Sequence, residues 1–311
     1  MGKLSTEALR KVLACIKRSP KVIVPPLPGF DSGVHLIDDK KCMVVSTDPC
    51  IDVPKKWFGW LLIHYAASDV ALFGAKPEFC SINLLGSPRT NEATFAKIMK
   101  HACNAADELE MAVVTGHTGT YEGLSTLLGT CTAYGVVDKN RLITPDSAKP
   151  EDYILCIKPI GFETVVNFAL TQPALAKKLF GAKRAPELKE LVSLQTCVKE
   201  ALLLAGIKGT HAMHDATEGG LVAALNEMAD ASKVGFKVEF DKLLIPKETL
   251  LLQKHFRLTD EQLLSMSSTG TIIAAINARA KNRVETELQR YGIEACFVGV
   301  FTRAKRRLLI R

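Results

Sequence analysis

The sequence predicts a mixed α/β protein, of the α/β or α+β class, built as two domains. Three observations carry this. The chain has 311 residues, about twice the ~150 residues of a common domain. Strand-like and helix-like apolar patterns alternate along it. The periodicity lapses at Thr144-Pro145-Asp146-Ser147-Ala148-Lys149-Pro150, which sets the expected domains at 1–148 and 149–311. With 47% apolar and 23% charged residues, both halves can bury a core and disorder is excluded.

In chain order, residues 4–18 read as an amphipathic helix (Leu4, Ala8, Leu9, Val12, Leu13, Ile16) that stops before Ser19-Pro20. The proline- and glycine-rich stretch from Pro25 to Gly33 forms a loop, and strand-like segments follow at 34–37 and 43–46. Residues 57–73 are the most apolar long segment, a helix closed by Gly74 and Pro77. A helix over 93–109, a short strand over 112–115 and a longer one over 127–137 complete the first half. Beyond the boundary, 153–158 reads as a strand, 163–179 and 186–204 as helices, 210–214 as a short strand and 219–231 as a helix. Strands at 271–276 and 296–300 flank a helix over 280–291.

Composition removes several classes. No apolar run approaches the ~18 residues of a membrane span, and residues 1–7 lack the apolar core and cleavage site of a secretory signal. Nine cysteines stand singly, without a Cys-x-x-Cys pair, so reduced thiols in a cytoplasmic protein are expected. The net charge of +7 favours a small anionic substrate. The basic cluster Arg303, Lys305, Arg306, Arg307 and Arg311 has few aromatics near it and reads as a solvated edge rather than a nucleic-acid surface.

Five places carry side chains suited to chemistry. Asp48 follows the apolar run 43–47 and precedes Pro49, where a strand is expected to end and aim its carboxylate into a crevice; a turn-forming aspartate is the plainer reading. Asp69 sits near the C-terminal end of the apolar helix, against the helix dipole and among Ala66, Ala67, Val70, Ala71 and Leu72. It needs a cation or donors there, unless it faces water. His117, between Gly116 and Gly119, is expected at the tip of a turn, as a metal or phosphate ligand or as a structural residue. Asp31 lies in the proline- and glycine-rich loop. The run from His214 to Val222 leads into a helix that Thr217 is expected to cap, while Gly219 and Gly220 leave amides open to an anion. Cys50 reads as a packing residue rather than a nucleophile. Walker-A, dinucleotide, nucleophile-elbow and zinc motifs are missing.

Together Ser46-Thr47-Asp48-Pro49, Ala67-Ser68-Asp69-Val70-Ala71 with Gly74-Ala75-Lys76-Pro77, Val114 to Gly119 and Met213 to Gly220 resemble the superfamily of aminoimidazole ribonucleotide (AIR) synthetase, selenophosphate synthetase, thiamine monophosphate kinase and the hydrogenase maturation protein HypE. The resemblance is greatest to HypE-like and AIR-synthase-related proteins. It implies an AIR-synthase-like fold: an N-terminal ATP-binding domain whose sheet pairs with its twin in a homodimer, and a C-terminal α/β domain closing over a cleft for ATP and Mg²⁺. It further implies Asp48, Asp69 and Asp215 as catalytic residues, with Asp31, Asp48, Asp69 and His117 as metal ligands. Gly116, His117, Thr118, Thr217, Gly219 and Gly220 would join Asp31, Asp48 and Asp69 around the nucleotide.

The chain departs from the HypE pattern in three ways. It ends Leu308-Leu309-Ile310-Arg311 rather than in an acceptor cysteine, His117 stands where many relatives carry an acid, and Glu218 replaces an arginine. The expectation is ATP- and Mg²⁺-dependent phosphoryl transfer to a small oxygen-containing substrate, or ATP-driven dehydration of one, without carbamoylation of a terminal thiol. The alternative is a nucleotide-binding accessory protein without turnover, working with a maturation-type protein partner.

Overall fold

The computed structural model describes residues 4–311. The chain divides into two compact units, one of residues 15–27 and 31–142, the other of residues 4–14, 28–30 and 143–311. Helix α1 (Thr6–Leu13) opens with Ser5, whose hydroxyl accepts from the Ala8 amide. It ends five residues before the expected stop at 18 because none of its residues is buried, so no packing rewards a further turn.

The first unit holds one sheet of β1 (Val22–Val24), β2 (Ser32–Leu36), β3 (Lys41–Ile51), β4 (Phe79–Gly86), β5 (Ala112–Thr120) and β6 (Leu128–Asp138). Its order is β1-β2-β3-β6-β4-β5, antiparallel except for the β4–β5 pair. Helices α2 (Lys55–Leu72) and α3 (Glu92–Glu108) pack together, and α2 lies on β3 and β6. Alternation decides which side chains meet α2: Cys42, Val44, Ser46 and Cys50 of β3 are buried, with exposed or half-buried residues between them. α2 is apolar all round and most of its 18 residues are buried, as expected of a helix enclosed by sheet and neighbour. β1 and β4 escaped the sequence reading, although Cys80, Ile82 and Leu84 of β4 alternate with more exposed residues.

Two sequence expectations change here. β3 does not end at Asp48 but pairs with β6 without interruption from Lys41 to Ile51. Pro49 is tolerated because β2 stops pairing at Ser46, leaving that edge of β3 without a neighbour that needs an amide. Likewise Gly116 to Gly119 form no turn. They run inside β5, where a Cβ on Gly116 would lie 2.1 Å from the Ile82 carbonyl oxygen, so the glycine permits close strand approach.

The second unit is built on β7 (Tyr153–Ile157), β8 (Thr210–Asp215), β9 (Gly235–Glu239), β10 (Ile272–Ile276), β11 (Ala295–Thr302) and β12 (Arg307–Ile310). Their order is β12-β9-β11-β7-β10-β8, with only β12–β9 parallel. Helix α4 (Phe162–Thr171) gives way to α5 (Pro173–Phe180), because Pro173 ends the single helix expected over 163–179. The expected helix over 186–204 is likewise α6 (Arg184–Glu190), a short 3₁₀ turn and α7 (Val198–Ala205). α8 (Gly220–Ser232) packs Leu221, Ala224, Leu225, Met228 and Ala229 into the core that holds Ile154, Ala212, Ile273 and Phe301. α9 (Lys247–Phe256), α10 (Asp260–Leu264) and α11 (Lys281–Arg290) complete the unit. The basic tail is ordered as β12, with Arg307 bonded to Asn226 and Asp230, and Arg311 to Asp260. Among the described residues no helix is long and apolar enough to cross a membrane.

Candidate functional site

In the first unit α2 carries Asp69 over the sheet, 4% exposed and flanked by the buried Ser68 and Val70. The Ser46 hydroxyl of β3 donates to Asp69 Oδ2 at 2.8 Å, joining residues 23 positions apart. Asp48, half-buried, follows two residues later on the same strand face. The sheet register extends this row: Asp48 is opposite Cys131, Cys131 opposite Ile82, and Ile82 opposite Gly116. Asp31 directly precedes β2, whose Ser32 pairs with Ser46, so it lies at the strand end beside the Ser46-Thr47-Asp48 segment.

His117 falls in the next row, opposite the exposed Asn83, and so belongs to the other face of the sheet. There its Nε2 lies 2.7 Å from the Tyr121 hydroxyl. Thr118 returns to the face of Ile82 and Leu84, opposite Leu84. The fold thus brings together the segments of Asp31, Asp48 and Asp69 with Gly116, and sets the His117 ring apart from them.

The surroundings of Asp48 are those of a partly desolvated charge. Burial pushes the neighbouring Cys50 thiol up to about 12, with a further push from Asp48. Cys50 donates instead to the Phe58 carbonyl at 3.7 Å. It is a protonated packing residue and not a nucleophile. Asp48 and Asp69 supply hard carboxylate oxygens, the donor type Mg²⁺ prefers, and a carboxylate as enclosed as Asp69 requires compensating donors or a cation. The donor set fits the ion.

In the second unit Ile272 pairs with Ile157 on one side and Asp215 on the other. The C-terminal ends of β7 and β8 therefore share one sheet edge with the start of β10. Asp215 is 3% exposed, and its Oδ1 has no hydrogen-bond partner among the described residues, standing 3.5 Å from His214 Nδ1. That imidazole nitrogen faces the Asp215 carbonyl at 2.8 Å, which can only accept, so Nδ1 carries the proton. On the other side of the ring, Nε2 lies 3.0 Å from Glu227 of α8.

Thr217 does not cap α8. Gly219, left-handed at φ 82°, takes the cap position without a side-chain bond, and Thr217 contributes only its carbonyl, to the Gly220 amide at 2.9 Å. Gly220 is also left-handed, at φ 58°, and a Cβ there would lie 2.5 Å from the Met266 carbonyl. Both glycines are therefore dictated by backbone shape. The first turn of α8 keeps amides without a side-chain cap, beside the exposed Glu218.

The same edge opens on a cavity of about 950 Å³ lined by Lys158, Pro159, Leu203, Thr269, Thr271 and Tyr291, among others. Sequence reasoning missed its polar frame. Lys158, left-handed at φ 68°, donates to the Thr196 carbonyl at 2.5 Å and pairs with Glu200 at 2.8 Å. Glu163, in the first turn of α4, accepts from the Thr269 amide and hydroxyl at 3.1 and 2.6 Å and from Ser267. Only the acid just after Gly161 at a helix start hinted at this role.

Comparison with known proteins agrees with this two-unit design. Over 285 residues the chain is 26% identical to a Methanocaldococcus jannaschii protein named for hydrogenase expression and formation, covering 90% of this chain and 82% of the relative. It is 24% identical over 340 residues to the selenide, water dikinase of Carboxydothermus hydrogenoformans, covering 100% and 95%. Among solved structures, thiamine monophosphate kinase of Aquifex aeolicus superposes with a TM-score of 0.74 at 15% identity, over 97% of this chain and 94% of that one. HypE in complex with ATP does so with a TM-score of 0.72 at 18% identity, over 88% and 83%. These likenesses establish the mixed α/β fold. The AIR synthase related protein N-terminal domain matches residues 29–137 and the C-terminal domain residues 149–310, and the chain belongs to that family.

Proposed function

We propose that this protein is an ATP- and Mg²⁺-dependent enzyme that phosphorylates a small oxygen-containing substrate, or dehydrates one through a phosphorylated intermediate. The observation that carries the reading is the buried Asp69 of an apolar helix, held by Ser46 over the strand face that also bears Asp48. It is supported by the family membership, by the dikinase among the relatives and by the ATP-bound HypE among the structural neighbours.

In this reading Asp48 and Asp69 would hold Mg²⁺, with Asp31 as a further candidate ligand, while the His117 ring, on the opposite face of the sheet beside Tyr121, takes no part. When bound, the ion would supply positive charge against the negative charge spreading over the transferred phosphoryl oxygens. Ser46 fixes the orientation of the Asp69 carboxylate by donating to Oδ2. Gly116 and Thr118 present the backbone of β5, while Thr217, Gly219 and Gly220 offer the start of α8 to a phosphate oxygen. Asp215, with an unsatisfied buried oxygen, accepts a hydrogen bond and then the proton from the acceptor's hydroxyl, whose oxygen takes the phosphoryl group. Residues 1–148 then form the nucleotide-binding and dimerising domain, and residues 149–311 the acceptor domain.

A homodimer in the cytoplasm is part of the proposal. The exposed edge strand β5, with Val113 39% and Val114 57% exposed, supports the dimer. The nine unbridged cysteines support the compartment. The HypE–HypF complex among the structural neighbours supports a maturation-type protein partner.

The test is thermal stabilisation by Mg²⁺ with a non-hydrolysable ATP analogue, together with ADP or phosphate release in the presence of candidate acceptors. Asp69→Asn is expected to abolish both stabilisation and release. Stabilisation without turnover for any acceptor would favour the accessory role. Neither effect in the wild-type protein would refute the proposal.

A further inference from the structure

The second unit contains two thiols that the proposed reaction does not use. Cys156 of β7 and Cys296 of β11 are directly opposite in antiparallel register. They share the sheet face that holds Ile154, Ala212 and Ile273. Directly opposed residues of antiparallel strands have Cα atoms about 4.5–5.5 Å apart, inside the roughly 4.4–6.8 Å that a disulfide spans. The register slips immediately beyond, between Phe297 and Gly299, a bulge at which β11 can bend.

The two sulfurs already interact. The Cys156 thiol donates to the Lys158 carbonyl 3.6 Å away, with the Cys296 sulfur beside it. The contact between the two sulfurs pushes Cys156 up, as burial also does, and draws Cys296 down, aided by the Leu244 amide. Cys156 is fully buried whereas Cys296 is half-buried, so an outside reagent meets Cys296 first.

A second pair in the first unit provides a built-in contrast. Cys80 and Cys131 are also in contact, but Cys80 is opposite Ala133 and Cys131 opposite Ile82. They are diagonal neighbours, at the ~7–8 Å of such positions, and both are fully buried. A disulfide there would require the strands to move.

We propose that Cys156 and Cys296 form a redox-active dithiol that closes to a cross-strand disulfide by exchange with a small-molecule disulfide such as oxidised glutathione. The Cys296 thiolate attacks one sulfur of that disulfide and displaces the other as a thiolate, which takes up the proton Cys296 lost. Cys156 then attacks the Cys296 sulfur, breaks the mixed disulfide and passes its proton to the second departing thiolate. The protein loses two hydrogens, and the small disulfide is reduced to two thiols. Closure pins β7 to β11 two residues from Lys158 and Glu294, which line the large cavity.

The experiment uses the full chain carrying Cys15→Ser, which removes an exposed thiol. The protein is equilibrated with graded ratios of reduced and oxidised glutathione, trapped with N-ethylmaleimide and mapped by peptide mass spectrometry. The expected result is one intramolecular link joining residues 156 and 296, reversed by dithiothreitol, with Cys80 and Cys131 still unlinked. Cys156→Ser is expected to leave Cys296 carrying a single glutathionyl group. The map of the chain with both thiols intact decides the matter even where a core variant fails to fold. No link at the most oxidising ratio, or a link between Cys80 and Cys131 that forms first, would overturn the proposal.

Discussion

The β3–α2 region of the first unit and the β7–β10–β8 edge of the second each bury acids, and they compensate them differently. Glu163 accepts from Ser267 and from both the amide and hydroxyl of Thr269, and Glu248, 3% exposed, receives the Arg184 guanidinium at 2.8 Å. Glu163 and Glu248, unlike Asp215, whose Oδ1 has no hydrogen-bond partner among the described residues, are anchored by donors of their own unit. Asp69 is placed instead inside the most apolar helix of its unit, oriented by a hydroxyl and facing the strand that carries Asp48. Asp69 too has a donor, the Ser46 hydroxyl, and differs in facing a strand that carries a second carboxylate, Asp48, the oxygen donors that a hard cation prefers.

That contrast can be broken by experiment. Losing the Asp69 charge in Asp69→Asn is expected to reduce Mg²⁺-dependent nucleotide turnover by more than about 100-fold, exceeding the loss typical of outer-shell groups. The ligand-free Tm should hold or rise, because a buried charge is removed. A large fall in that Tm would return Asp69 to architecture. Ser46→Ala should weaken Mg²⁺ binding by about 10–100-fold while leaving the fold intact, read by metal titration of the folded variant.

At the other edge the expected effects are on stability. Gly220→Ala places a Cβ against the Met266 carbonyl in a left-handed backbone and should cost at least about 1–3 kcal/mol in denaturant unfolding. The last effect concerns Cys50 and is confined to alkaline pH. Its folded thiol stays protonated to about 12, whereas the unfolded chain releases that proton from about pH 9. Between those limits the native state binds more protons, so its stability should fall as pH rises, and Cys50→Ala should flatten the slope.

Much of this was legible before folding. The apolar run 57–73, closed by Gly74 and Pro77, matched α2 to within two residues, and the awkwardness of Asp69 within it was visible as a charge among apolar neighbours, although an outward, solvated position stayed open until the fold was known. Local chemistry misled where a tertiary contact competed with it. Asp48-Pro49 looked like a strand end, but β6 pairs straight through because the far edge of β3 is free there. Thr217 looked like the cap of α8, but Gly219 holds that position in a left-handed backbone that a threonine disfavours. Short elements such as β9, α9, α10 and β12 went unread, since few residues carry each period and packing supplies the rest.

The sequence by itself determined the alternation of strands and helices, the two-part organisation and the acids worth suspecting, because periodicity and the cost of burying charge are local properties. Which residues share a face with these acids was decided only by tertiary structure. The pairing of Ser46 with Asp69 spans 23 residues, and the strand register sets Gly116 in the row of Asp48 and turns His117 to the opposite face. A one-residue change of register would reverse that choice, and no local preference fixes a register that depends on the whole sheet.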